Sequence, residues 1–175
     1  MDLFEAIALR HSYRGEFAKT PVPREVLNKI VEAGIMAPSG CNNQTTHFAI
    51  VDDPQVMDAI RQIMPTKTEV RTAPAFIAVF SEVPGNTGGL SFEVQDYSAA
   101  VQNMLLAITA LGYASVWLDG VLHSQKIAQR IAEALGVKPN QGLVTSVLLP
   151  VGVPMEKGRQ NDRLPFEKRA WYNRG

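Results

Sequence analysis

Residues 96 to 120, DYSAAVQNMLLAITALGYASVWLDG, form the most apolar long segment of the chain, and the remaining sequence reads as its cover. Ala99, Ala100, Asn103, Leu106, Ala107 and Ala110 recur at spacings of three and four, while Val101, Met104, Leu105, Ile108 and Leu111 occupy most of the other side. That pattern predicts a helix buried nearly all round. Its small residues, Ser98, Ala99, Ala100, Ala107 and Ala110, let a second helix approach closely, from this chain or from another copy. Gly112 closes the helix, Ala114 to Leu118 reads as a short buried strand, and Asp119-Gly120 as the turn at its end, a usual place for a ligand in a layered fold.

With 175 residues, 46% of them hydrophobic, the chain suits one domain, 1–175, and is short for two. Seventeen basic residues balance seventeen acidic ones, so no global field gathers nucleic acid. Cys41 is the only cysteine, which excludes an internal disulfide or a multi-cysteine metal site and fits a reducing compartment. No apolar run approaches the roughly 20 residues of a membrane span, and the N-terminus lacks a signal-like basic region; a cytoplasmic protein is expected.

Upstream, Asp2 and Glu5 read as a capping box for a short helix ending near Arg10. There RHSYR, Arg10 to Arg14, concentrates two guanidinium forks, an imidazole and hydroxyls, suited to a phosphate or another anion. Basic residues at a helix C-terminus also complement its dipole without any ligand. A second helix, Arg24 to about Ala37, presents Val26, Ile30, Val31 and Ile35 to a core and stops at Pro38. The loop that follows, APSGCNNQTTHF, is too polar for a buried regular element; its amides and hydroxyls can pair with a flat heterocycle or a ribityl chain. Cys41 has no base placed near it by sequence and reads as a passive small residue.

Phe48 to Val51 and Ala75 to Ser81 read as strands around a helix from Pro54 to about Ile63, with the aperiodic PTKTEVR between them. VPGNTGGL, residues 83–90, lacks the spacing of a phosphate-binding loop and reads as flexible connection. His123 or Ser124 caps a helix running to about Leu135 and stopped by Gly136; Leu143 to Gly152 is the last long strand, with Pro150 marking an edge or an end. The tail from Val153 carries Arg159, Arg163, Lys168, Arg169, Arg174 and the pair Trp171-Tyr172, and is expected to dock on a partner subunit. No zinc, acyl-transfer or triad signature is present, so in an enzyme a cofactor must bring the reactivity.

RHS at Arg10 to Ser12 with Arg14, PSGCNNQ at Pro38 to Gln44, WLDG at Trp117 to Gly120 and RLP at Arg163 to Pro165, arranged around the helix DxxxAxxNMLLA, resemble the nitroreductase family of FMN-dependent oxidoreductases. The resemblance spans the chain and implies an α+β fold, with a mixed central sheet flanked by helices in an intertwined homodimer that exchanges C-terminal tails. It assigns Arg10, His11 and Ser12 to the FMN phosphate and ribityl chain, Arg14 to the pyrimidine end, and Arg163 to the phosphate. Pro38, Ser39, Gly40 and Asn42 would reach the flavin of the other subunit, and the backbone of Asp119 and Gly120 would face N5. No side chain would act as acid or base. NADH or NADPH would be the reductant, and a nitroaromatic, quinone or similar small molecule the acceptor; a flavin oxidoreductase specialised for dehalogenation or flavin fragmentation, or a flavin-binding module without turnover, are the alternatives. Three departures stand out: Thr45-Thr46 replaces the usual Pro-Trp, a helical excursion of larger members is absent, and Tyr13 occupies a position usually small or polar.

Overall fold

The computed structural model describes residues 1–82, 86–87, 90–124 and 126–173. Six helices, α1 Leu3–Leu9, α2 Arg24–Ile35, α3 Pro54–Ile63, α4 Thr68–Thr72, α5 Glu93–Ala110 and α6 Ile127–Ala134, surround a sheet made of β1 Thr46–Val51, β2 Ala75–Glu82 and β5 Leu143–Val151. Between α4 and α5, β3 Asn86–Thr87 and β4 Leu90–Ser91 form a separate two-stranded ribbon. The rest of the expected glycine-rich connection, like Arg174 in the tail, lies outside the described residues.

The sheet order is β1-β2-β5, which makes β2 the central strand. Its run AFIAVF shows why hydrophobicity does not alternate there. Phe76, Ala78 and Phe80 enter one core with Met57 and Ile60 of α3 and Ile127 and Ile131 of α6. Ala75, Ile77 and Val79 enter the other, against Leu27 and Ile30 of α2 and Val101, Met104, Leu105 and Ile108 of α5. A strand covered on both faces needs apolar residues at every position. The α+β class is as expected, but each pairing among the described residues is antiparallel, where a mixed sheet was expected. The chain re-enters the sheet at the end it left, so Val51 lies opposite Phe76 and Glu82 opposite Leu143. Pro150 sits in β5, an outer strand of this sheet, as its missing N–H requires.

Local signals were read well at most helix ends. Asp2 and Glu5 form the capping box of α1, with bonds of 2.9 and 3.0 Å. Asp53 caps α3, whose first residue is Pro54. Gly112 and Gly136 take positive φ, +83° and +72°, just past α5 and α6.

Four expectations are corrected. Ala114 to Leu118 is not a regular strand: it makes only isolated bridges, Ala114 with Gly152 just past β5 and Leu118 with Leu148 of β5, while the Ser115 carbonyl accepts from the Tyr13 N–H. Neither His123 nor Ser124 caps α6 with its side chain; Lys126 is the cap residue, at φ 57°, and Ser124 offers only its carbonyl to Ile127. PTKTEVR contains a short helix, α4, that buries Val70 and Glu69. Finally, α5 is not covered all round within the chain. Ala100, Val101, Met104, Leu105 and Ile108 are buried, whereas Gln102, Ala110 and Leu111 are exposed. Likewise Ile35 of α2 faces solvent, while Gly34 supplies the close approach to α5: a Cβ there would stand 2.9 Å from the Met104 side chain.

Candidate active site

α1 ends at Leu9, and its last turn delivers Arg10 to the side of the tail. The Gln160 carboxamide accepts from the Arg10 Nη2 at 3.4 Å and from the Arg163 Nη2 at 2.8 Å, and it returns a hydrogen bond to the Arg10 carbonyl. Two guanidinium groups thus converge on one neutral oxygen. Neither belongs to an ion pair among the described residues. Burial, and then the neighbouring Arg163 charge, push the Arg10 pKa down. Such an arrangement is poised for an anion.

His11 lies beside this pair. Its Nδ1 is within 2.9 Å of the Leu9 carbonyl, and its Nε2 is buried with no partner among the described residues. The ring packs closely on Gly158: a Cβ there would sit 1.9 Å from Nε2, so any other residue would have to push the imidazole aside. Ser12 and Arg14 are exposed, and neither side chain makes a described hydrogen bond or ion pair. Tyr13 is different: it is buried, and its hydroxyl donates to the Glu16 carbonyl at 2.6 Å while accepting from the backbone of Met155 at 3.1 Å. The unusual tyrosine therefore ties the RHSYR segment to the start of the tail.

The loop after α2 is organised by a residue that the sequence did not single out. Asp96, in the first turn of α5 and only 4% exposed, accepts from the Gly40 N–H at 2.7 Å and from the Thr45 hydroxyl at 2.8 Å. An acid in the first turn of an apolar helix, alongside Glu93, is the signal in the sequence. Ser39 accepts from the Gln44 N–H at 3.0 Å. The clamp holds Cys41, Asn42 and Gln44 at φ between 52° and 56°, a region that non-glycine residues rarely occupy, and concentrates this strain in one short loop. Gly40 is required by contact, since a Cβ would lie 2.4 Å from the Phe92 ring. Pro38 and Ser39 border a cavity of about 300 Å³ with Thr46, His47 and Phe48, and the Thr46 hydroxyl is buried there without a described partner. The Thr45-Thr46 departure is thus divided: one hydroxyl serves the clamp and the other is left free.

Asp119 and Gly120 follow the segment that Ser115 attaches to Tyr13. The Asp119 carboxylate accepts from the Gly120 N–H, so that donor is turned back on its neighbour in this state. Space around Gly120 is open. Burial, followed by the charges of Asp119 and Glu93, pushes the Tyr97 pKa up, which puts the start of α5 beside this turn. The structure therefore brings Arg10, His11 and Arg163 into one group with Gln160 and Gly158, two residues the sequence did not indicate. No hydrogen bond among the described residues joins that group to the loop from Pro38 to Asn42, which belongs to α5.

Comparison with known proteins places the chain in a family. The model of the Nitroreductase family matches residues 7–69 and 64–153. A protein of Methanothermobacter thermautotrophicus named "Putative NADH dehydrogenase/NAD(P)H nitroreductase" is 33% identical over 96% of this chain and 88% of its own length. Iodotyrosine deiodinase 1 of Rattus norvegicus is 26% identical over 87% of this chain and 62% of its own. The structure of a "putative nitroreductase in complex with fmn" from Desulfovibrio desulfuricans superposes with a TM-score of 0.82 at 30% identity, covering 100% of this chain and 98% of that one. A family match over most of the chain, a relative at one third identity and the shared fold lead to one conclusion: this chain belongs to the nitroreductase family.

Proposed function

We propose that the protein is an NAD(P)H-dependent FMN oxidoreductase. The carrying observation is the convergence of Arg10 and Arg163, two cations with no carboxylate partner among the described residues, on Gln160. A phosphate monoester supplies the missing counter-charge, and the buried, unpartnered His11 Nε2 offers a further contact, so the residues present fit the FMN phosphate. Arg10, His11, Ser12 and Arg163 would hold that end, Arg14 would stand as a cation toward the pyrimidine ring, and Asp119 with Gly120 would orient the reacting face. Bound FMN would supply the redox chemistry, hydride transfer from NADH or NADPH to a nitroaromatic, quinone or similar acceptor. The chain's own part is binding, orientation and electrostatics, and no described side chain is needed as acid or base. Purified protein should be yellow, and its flavin absorbance should bleach with NADH or NADPH and return with a nitroaromatic or quinone. A colourless protein that ignores added FMN ends this reading; a flavin that never bleaches reduces it to a passive binder.

The likeness to iodotyrosine deiodinase 1 supports a second reading, reductive dehalogenation. Release of halide from a halophenol by the reduced protein, with no turnover of nitroaromatics, would favour it.

The reading includes a cytoplasmic homodimer. Within one chain an apolar face remains uncovered: Phe4 is 80% and Met36 81% exposed, and Met1, Leu3, Leu106 and Ala110 border a cavity of about 390 Å³ between α1, α2 and α5. Leu164, Phe166, Trp171 and Tyr172 are exposed along the tail. Apolar area of this kind marks an interface. A second copy would cover α5 and bring its Pro38 to Asn42 loop to the first copy's flavin. Sedimentation should give a dimer down to nanomolar concentration, as expected for an obligate interface above roughly 2,000 Å². A stable, flavin-loaded monomer overturns both the dimer and the shared site.

A further inference from the structure

We propose that a cleft lined by none of the residues assigned to the flavin is a second ligand site, built for an organic monocarboxylate with a compact apolar body. The cleft, about 870 Å³, lies where the chain after RHSYR meets the start of α3, the end of α4 and Met155. It shares no lining residue with Arg10 to Arg14, Pro38 to Asn42, Asp119-Gly120 or Arg163. Its volume is in the range of small-molecule pockets.

The lining has two parts with different chemistry. Phe17, Val22 and Met57 are buried core side chains that supply an apolar floor. Lys19, Arg61 and Arg71 supply positive charge against Glu16 and Asp52. Asp52 is already engaged, because Arg24 grips it with two hydrogen bonds of 2.5 and 3.0 Å. Arg71 and Lys19 are in no ion pair among the described residues.

Arg61 is the informative member. Its Nη1 donates to Asp58 at 2.6 Å and its Nη2 to the Ala73 carbonyl at 2.9 Å, which together fix the guanidinium in place. Its Nε is buried with no partner among the described residues. That atom is closed off from the cleft, so a carboxylate would take its hydrogen bonds from the exposed Arg71 guanidinium, beside the fixed positive charge of Arg61. One net positive charge on the lining matches a single carboxylate better than a dianionic phosphate. The apolar floor asks for a hydrocarbon or aromatic body beside it.

The test is calorimetric titration of the full chain, with and without added FMN, using 2-naphthoate, its neutral carboxamide and inorganic phosphate. Saturable binding of 2-naphthoate is expected in both states, with the carboxamide and phosphate weaker by about tenfold or more, the loss expected for a charge-assisted bond. Arg71→Glu, at an exposed position in the last turn of α4, should weaken 2-naphthoate by at least as much, and thermal melts of the variant check that the chain still folds. Lys19→Glu should act in the same direction. Three results would overturn the site: no saturable binding, equal binding of the carboxamide, or binding indifferent to Arg71→Glu. So would binding seen only with FMN and accompanied by a change in the flavin spectrum, which would place the ligand over the flavin.

Discussion

Arg10→Ala and Arg163→Ala should each weaken FMN binding by about 1.5 to 3 kcal/mol, the cost of a lost charge-assisted hydrogen bond. The double variant should lose less than the sum, because both guanidinium groups meet at Gln160 and neighbouring substitutions are not additive. The FMN-free protein should behave in the opposite sense. Two like charges held together without a counter-ion repel, and the Arg163 charge already helps to lower the Arg10 pKa. Removing either cation should therefore leave the melting temperature of the FMN-free chain unchanged or slightly raised. Flavin fluorescence titration at two salt concentrations, beside thermal melts without FMN, separates the two effects, and wild-type affinity should fall with salt more steeply than that of either variant. Unchanged affinity in both variants would reassign the pair to the surface and remove the main support for a phosphate site.

Asp96→Ala should cost about 3 kcal/mol of stability or more, since it leaves the Gly40 N–H and the Thr45 hydroxyl without their charged acceptor. Asp96→Asn keeps one acceptor oxygen but presents an NH₂ to the other donor, and should fall in between. The loss should not be confined to folding. The loop from Pro38 to Gln44 holds three non-glycine residues at positive φ, and without the clamp it has little reason to keep them there. FMN affinity should fall in Asp96→Asn even where denaturant titration shows the chain still folded. If both variants keep the wild-type denaturation midpoint and FMN affinity, Asp96 is not what shapes the loop.

Both predictions rest on residues that the chain's local patterns treat unequally. Arg10 and Arg163 stood out as candidates because of the segments around them, yet nothing in those segments says that Gln160 joins them across 150 residues. Asp96 lay inside the segment that organised the whole reading and still passed as part of a helix face. A clamp is defined by the groups that meet, and Gly40 and Thr45 come from a loop more than 50 positions away.

What the sequence determined by itself is what depends on near neighbours. The capping box at Asp2 and Glu5, Pro54 at the start of α3, the glycines past α5 and α6, and the unbroken apolar run of β2 each state a local conformation or a burial demand that no distant residue needs to complete. Tertiary structure decided the rest. Ala114 to Leu118 has a strand's composition but shares its backbone between Tyr13 and β5, so it forms bridges and not a ladder. Tyr13 reads as an unexplained departure until Met155 arrives to bond its hydroxyl. Gly158 carries no local signal at all, and its place is set by the His11 ring that comes to rest against it. In each case the deciding atom belongs to a segment that folding brings alongside, and its direction of approach is set by packing and not by spacing along the chain.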